Sequence, residues 1–437
     1  MIVPGTRAIA LVGGAGSLMA LGAAVFPQAE PMFLAGALLV IAVTVIDAIR
    51  ADRTVRGISA TAPALIRTVS GRSFEVPLTV VNCGAPIHAV RLALELPEEL
   101  RASKEFLECG DLPAQHRTTV QASLVCHQRG EYFISNGAIR AISPWGLWQS
   151  QIALPLRVTI RAYPDLLADS TAAEFLQRGK AGERMVRHSG KGREFEKLRE
   201  YMYGDSFDEV DWKATARRGS PVVRVFQIER TQEIYVAIDN SRLSGRTAGE
   251  RVALDQYVHA ALVMALAAES QGDRFGLITF SDRVHNFVRA DKGKSHFKTC
   301  REAIYNARPR AVEPDFGEFF SFLGTRLTRR ALVIVLTALD DPLAAESFSR
   351  DVNVASRRHL VIAAMPAPPG ARPLFESPAA DVDDMYDKLG GHLRWRQLAE
   401  LQKACRNKGV ALHLLSPEKF IGQLAGVYLD VNRRQLL

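Results

Sequence analysis

Two uncharged apolar runs open the chain, Ala8 to Phe26 and Met32 to Ile49, the second broken only by Asp47 near its end. Each is long enough for a helix that crosses a bilayer core, which takes about 20 apolar residues. A proline-bounded turn, PQAEP, separates them. Arg7 precedes the first run, while Arg50, Arg53 and Arg56 follow the second. The positive-inside rule therefore predicts a transmembrane helical hairpin over residues 1–50 with both ends in the cytoplasm. Gly13, Gly14 and Gly16 lie inside the first span with no strand before them, so they carry no nucleotide signal and are expected to let the two helices approach closely.

From Gly57 the texture changes to short β-branched runs separated by turn residues: Phe74–Asn82, Val90–Pro97, Thr118–Cys126 and Leu156–Pro164. Strands and turns recurring at this spacing predict an all-β, immunoglobulin-like sandwich over residues 51–165. Trp145 and Trp148, beside a Pro-Gly turn, are expected to cover its core rather than to form a binding patch. Residues 166–230 form a polar linker followed by a module dense in charges and aromatics. Within it Glu194, Phe195, Leu198, Tyr201 and Met202 recur at helical spacing, which predicts an amphipathic helix over Arg193–Tyr203 stopped by Gly204. Trp212, Tyr201 and Phe195 are expected to take apolar cover from the adjoining sheet.

From residue 231 to 437 the pattern is α/β. Near-continuous apolar runs end at Asp239, at Phe280 and after Ala331–Ala338, with further runs at Leu360–Met365 and Val410–Leu415. Runs of this kind are strands buried on both faces. They alternate with helical stripes at Ala253–Ser270, His296–Ala307, Phe316–Leu327 and Leu393–Lys408, so the domain should be a doubly wound parallel sheet. In such sheets ligands bind outside the carboxyl ends of the strands, which singles out Asp239 and its neighbours.

Composition narrows the chemistry. A net charge of +8 suits an anionic membrane surface or an acidic partner, and no nucleic-acid reader module accompanies it. The arginines at 301, 308, 310, 326, 329 and 330 read as solvated helix ends. The five cysteines are odd in number and contain no CxxC, which argues against a disulfide framework or thiolate zinc site and for reduced thiols in the cytoplasm. No GxSxG, HExxH or phosphate loop is present. Asp205, Asp208 and Asp211 are better read as ion-pair partners of Arg199, Lys213, Arg217 and Arg218 than as a metal cluster.

Three stretches, GREFEKLREYMYGD, VDWKATARRGSPVVRVF and the strand closed by Asp239, resemble the signature of the bacterial domain of unknown function 58 (DUF58). RGEYFISNGAIRAISPWGLW, RRALVIVLTALDD, GVALHLLSPEKF and VYLDVNRRQLL extend the resemblance over most of residues 50–437. Its signature positions here are Arg193, Glu194, Phe195, Leu198, Arg199, Tyr201, Gly204, Asp205, Asp211, Trp212, Lys213, Ala216 and Arg217. The resemblance implies a membrane hairpin, a β-sandwich and a von Willebrand factor A-like (Rossmann-like) domain, joined in that order. That fold normally carries an Asp-x-Ser-x-Ser loop, a distant Thr and a distant Asp around Mg²⁺. Here Asp239 and Ser241 keep the first two places, Leu243 takes that of the second Ser, Pro314 and Asp315 offer no Thr, and Ala338 stands for the strand-end Asp. The site implied is degenerate, with no cofactor expected and Mg²⁺ held only weakly unless Ser244 or Asp340 compensates. The function implied is a non-enzymatic scaffold in the bacterial inner membrane that binds protein partners, among them a MoxR-type AAA+ ATPase. The alternative is a hydrolase built on Asp239, Ser241 and a histidine such as His285.

Overall fold

The computed structural model describes residues 2–55, 57–166, 189–203, 205–227, 232–248, 251–374 and 381–434. The chain divides into two compact units, Met1–Asp165 and Leu166–Leu437.

The first unit begins with a short strand, β1 (Ile2–Pro4), then helices α1 (Thr6–Val25) and α2 (Glu30–Val55). Both helices are long and apolar enough to cross a membrane. Their leucines point outward, Leu18 at 70% and Leu38 at 67% exposure, as a hydrocarbon solvent permits and water does not. The expected close-approach glycines are a correction: Gly13, Gly14 and Gly16 have open space where a Cβ would stand. The helices meet instead at Gly22, where a Cβ would lie 2.6 Å from the Phe33 ring, and at Gly36 beside Met19.

Strands β2 (Ile58–Thr61), β3 (Leu65–Val69), β4 (Ser73–Asn82), β5 (Ile87–Leu94), β6 (Leu100–Ala102), β7 (Leu107–Leu112), β8 (His116–Cys126), β9 (Gly130–Ile142) and β10 (Trp148–Tyr163) complete this unit. They form two sheets, β1-β10-β9-β5-β7 with β3 beside β10, and β2-β4-β8-β6. Alternation does the sorting: in β4, Val76, Leu78 and Val80 are wholly buried while the residues between them are not. β1 pairs antiparallel with Trp148–Ser150, so the residues before α1 and those after α2 both join the sandwich. Both ends of the hairpin therefore lie on one side of it. Asp47, fully buried, accepts hydrogen bonds from Ser143 Oγ (2.5 Å) and Trp145 N (3.2 Å), and the Trp148 indole donates to Thr44 O (2.8 Å). Trp148 thus fastens helix to sandwich, whereas Trp145 stays half-exposed under the Arg50 guanidinium.

The second unit opens with β11 (Ser189–Glu200), α3 (Trp212–Arg218) and β12 (Val222–Gln227), the two strands pairing antiparallel. The amphipathic helix expected over Arg193–Tyr203 is therefore a strand as far as Glu200. Then come β13 (Glu233–Asp239), the two-residue strands β14 (Thr247–Ala248) and β15 (Arg251–Val252), α4 (Ala253–Gln271), β16 (Arg274–Phe280), β17 (Val284–Asp291), α5 (Lys294–Ile304), α6 (Phe316–Arg326), β18 (Leu332–Leu336), α7 (Pro342–Asp351), α8 (Asn353–Ser356), β19 (Leu360–Pro366), α9 (Val382–Asn407), β20 (Ala411–Leu415) and α10 (Phe420–Arg433).

The main sheet runs β17-β16-β13-β18-β19-β20, parallel except for the edge strand β17. This is a doubly wound α/β arrangement, and β13 lies inside it. Ile234, Val236 and Ile238 face a core completed by α4 and α10, while Tyr235 and Ala237 face one completed by α6, α7 and α9. Phe316, Phe319, Phe320 and Leu323 are all buried along one face of α6, the stripe their spacing predicts. With helices on both faces, the carboxyl ends of the parallel strands are left to carry loops.

Candidate functional site

Asp239 ends β13 and is fully buried with its neighbour Ser241. Its Oδ1 accepts from Ser241 N (2.8 Å) and its Oδ2 from Thr337 Oγ1 (2.6 Å). The Ser241 hydroxyl faces the same carboxylate and lowers its proton affinity, without closing a hydrogen bond of normal geometry. Burial nevertheless dominates and raises the Asp239 pKa above the ordinary carboxylate value, against the lowering effect of Thr337 and Ser241. Tyr257, wholly buried on α4, is pushed well up, first by burial and then by the charges of Asp239 and Asp340.

Ser244 turns away from the carboxylate: its Oγ donates to Ser241 O (2.7 Å) and closes the short helical turn that comes after β13. Leu243 is buried in the core on the α6 side. Arg242 pairs with Glu313 and lies 3.5 Å from Asp341, and Arg246 pairs with Asp340 at 2.7 Å. The acids at the rim of the site are thus answered by arginines from the same turn. Thr337, just after β18, is the partner that sequence reading missed; attention fell on Ala338, whose position offers no side-chain oxygen.

The side chains around Asp239 offer few ligands to a divalent cation beyond Asp239, Ser241 and Thr337. Leu243, Pro314 and Ala338 present no donor, Ser244 is spent on a backbone carbonyl, and both oxygens of Asp239 already accept hydrogen bonds. Mg²⁺ demands near-octahedral oxygen ligands and dehydrates reluctantly. Asp340, the other candidate to compensate, is held by Arg246.

His285 pairs with a different serine from Ser241: its Nε2 lies 2.7 Å from Ser281 Oγ, which also donates to Asp282 (2.7 Å). This serine–histidine pair was not legible in the sequence. Ser281 is completely buried, so an ester or amide carbonyl cannot reach its oxygen without the loop opening.

The signature module has the opposite character. Arg199 forks onto Asp205 through two bonds of 2.8 and 2.6 Å, and Asp205 also accepts from Met202 N. Asp211 caps α3 by accepting from Lys213 N and Ala214 N, both at 3.0 Å, and its other oxygen takes Arg224 at 2.9 Å. Arg199 holds the Asp205 carboxyl below its usual range, and Arg224 does the same for Asp211. Charge here builds the frame, although the partner of Asp211 is Arg224 rather than Lys213, Arg217 or Arg218. Lys213, Ala216 and Arg217 are exposed on α3. Leu198 and Tyr201 are half-buried, Tyr201 against the Phe207 ring at 5.7 Å. The expectation that Trp212 is covered is overturned: it is 67% exposed, and Met202, Tyr203 and Phe207 stand out with it. Gly204 and the side chains of Arg193, Glu194 and Phe195 lie outside the described residues.

Residues 197–370, which hold both the frame and the Asp239 loop, match the family described as "Protein of unknown function DUF58". That segment of the chain is similar to DUF58. Uncharacterized proteins of Mycobacterium tuberculosis and Mycobacterium bovis are each 26% identical over 178 residues, 40% of this chain and 55% of theirs. The chain thus spans about half the length of the curated relatives it matches. Among solved structures it is similar to an aerotolerance-related membrane protein from Bacteroides fragilis, at 11% identity, 46% of this chain, 99% of that one and a TM-score of 0.32. BatB from Bacteroides thetaiotaomicron gives 12%, 46%, 99% and 0.30, and the SpRpn10 VWA domain gives 11%, 45%, 95% and 0.28.

Proposed function

We propose that this protein is a membrane-anchored, non-enzymatic scaffold whose α/β unit binds protein partners, one of them a MoxR-type AAA+ ATPase that it helps to assemble or activate clients. The observation that carries this reading is the set of exposed apolar side chains, Met202, Tyr203, Phe207 and Trp212, carried on an ion-paired frame within the segment similar to DUF58. Exposed apolar clusters rimmed by polar groups mark interaction surfaces, and tyrosine and tryptophan dominate binding energy at such surfaces. A hydrolase acting through Asp239 and Ser241 is disfavoured by the full burial of both residues.

In this reading the hairpin spans the bacterial inner membrane with both units in the cytoplasm. A fluorescent-protein fusion after Leu437 then glows and an alkaline-phosphatase fusion is inactive; the reverse pair puts the chain on the other side. Function is tested with the full chain in nanodiscs and a purified MoxR-type ATPase from the same bacterium. The expected result is saturable binding that Trp212→Ala weakens without altering the melting temperature. An ATPase that binds in no nucleotide state removes it as the partner.

A further inference from the structure

Beside Asp239, outside the carboxyl ends of β13 and β16, lies an open cleft of about 450 Å³. Its polar lining includes Asn240, His285, Asn286, Asn306, Arg308 and Arg310, with no carboxylate among the lining residues. Arg308 and Arg310 are exposed, and neither guanidinium has a hydrogen-bond or ion-pair partner among the described residues. The sequence expectation that they end a helix is corrected here, since α5 stops at Ile304 and both sit on the loop beyond it.

That loop is fixed in place. Arg310 N donates to Asn240 O (2.8 Å), Val312 N to Arg310 O (2.8 Å) and Arg242 N to Val312 O (3.0 Å), which pins it to the turn after β13. Pro309 packs against Gly245 closely enough that a Cβ there would stand 3.2 Å from its ring. The backbone that carries both arginines is therefore fixed at one rim of the cleft, which both side chains line. His285 feels one of them: its pKa is lowered first by burial and then by Arg310. Asn240 is nine-tenths buried, and its side-chain carbonyl has no hydrogen-bond partner among the described residues. An unsatisfied buried amide is costly, and it can present either its oxygen or its NH₂ to whatever enters.

We propose that this cleft receives an aspartate or glutamate side chain from an acidic segment of a partner protein, so that arginines supply the positive charge. The inference rests on the reading that the α/β unit binds protein. A carboxylate is favoured over a phosphate because the backbone N–H groups of Arg310 and Val312 are already committed, whereas phosphate sites are typically lined by free backbone N–H groups. What remains is a pair of planar guanidinium forks, which match a planar carboxylate through two parallel hydrogen bonds.

The test uses the full chain in phosphatidylcholine nanodiscs and a labelled peptide of alternating glutamate and glycine, read by fluorescence anisotropy. The expected result is saturable binding, absent for the glutamine version of the peptide and weakened about tenfold or more in Arg308→Gln/Arg310→Gln. Arg308→Lys/Arg310→Lys keeps the charge but not the fork, and is expected to recover only part of it. Both sites are exposed, so an unchanged melting temperature verifies the fold. Equal binding by the glutamine double variant, no binding by the wild-type chain, or binding of inorganic phosphate in place of the peptide each overturns the proposal. Trp212→Ala is expected to leave peptide affinity unchanged, which separates this site from the ATPase surface.

Discussion

The Asp239 loop and the signature module are both rich in aspartate and arginine, yet they use them in opposite ways. At Asp239 the carboxylate is drawn wholly into the protein, satisfied by Thr337 and the Ser241 amide, and burial raises its pKa. In the module Asp205 and Asp211 are held below their usual range by Arg199 and Arg224, and the aromatics stand outside. A buried, satisfied acid organises a loop; a solvated, paired acid fixes a surface. The module, rather than the Asp239 loop, is therefore where apolar area is exposed, and it is where the proposed partner would bury it.

The sharpest way to break this contrast is at the surface. Tyr203→Ala/Trp212→Ala is expected to weaken binding of the MoxR-type ATPase about thirtyfold or more, a loss of about 2 kcal/mol typical of hot spots, while leaving stability unchanged. Surface plasmon resonance on nanodiscs checks the first and differential scanning calorimetry the second. A lowered melting temperature would mean that these rings are covered after all.

Next in size is Thr337→Val, which keeps the shape but strips Asp239 Oδ2 of its donor inside the core. Leaving a buried carboxylate oxygen unpaired costs about 1–3 kcal/mol, so the melting temperature should fall by several degrees. Asp211→Ala should cost less, because its partner Arg224 is exposed, and its effect should be confined to the module. Hydrogen exchange at Lys213 and Ala214 would report it, and faster exchange throughout the α/β unit would contradict it.

The smallest effect has the most telling sign. Because the folded pKa of Asp239 is raised, its contribution is fully present below the unfolded value of 3.8 and is lost as pH rises through the folded value. For Asp205 and Asp211 the folded pKa is lowered, so their contribution is present above 3.8 and disappears only as pH falls through the folded value. Asp239→Asn should therefore be neutral or slightly stabilising near pH 7 and should flatten the stability profile just above pH 3.8. Urea unfolding across pH 3–7 measures it, and a marked loss of stability at pH 7 would show that the ionised carboxylate is needed.

Much of the fold was legible because it is written in continuous apolar runs: β13, β16, β18 and β19 are buried on both faces and have no other period to confuse them. The Phe316–Leu323 stripe fixed α6 in the same way. The strand β11 was misread because Phe195, Leu198, Tyr201 and Met202 fall three and four apart. Irregular register around Phe195 spoils its two-residue alternation, and pairing with β12, distant in sequence, decides the outcome. The edge strand β17 carries His285, Asn286, Arg289 and Asp291 and gave no apolar run to recognise. At the site, Asp239 and Ser241 were found from their place at a strand end. Thr337 was not, because a hydroxyl ending a buried strand has no pattern of its own until the neighbouring strand sets it opposite a carboxylate. Arg308 and Arg310 looked like solvated charges, since nothing local shows that their loop is pinned to the turn after β13.

Asp239 is satisfied from within, by the Ser241 amide and the Thr337 hydroxyl, and is therefore expected to hold no divalent cation. Isothermal titration of Mg²⁺ and Mn²⁺ into the full chain in nanodiscs tests it directly. The account predicts no saturable site and the same heats for wild type and Asp239→Asn. A stoichiometric site with micromolar affinity, lost in Asp239→Asn, would contradict it.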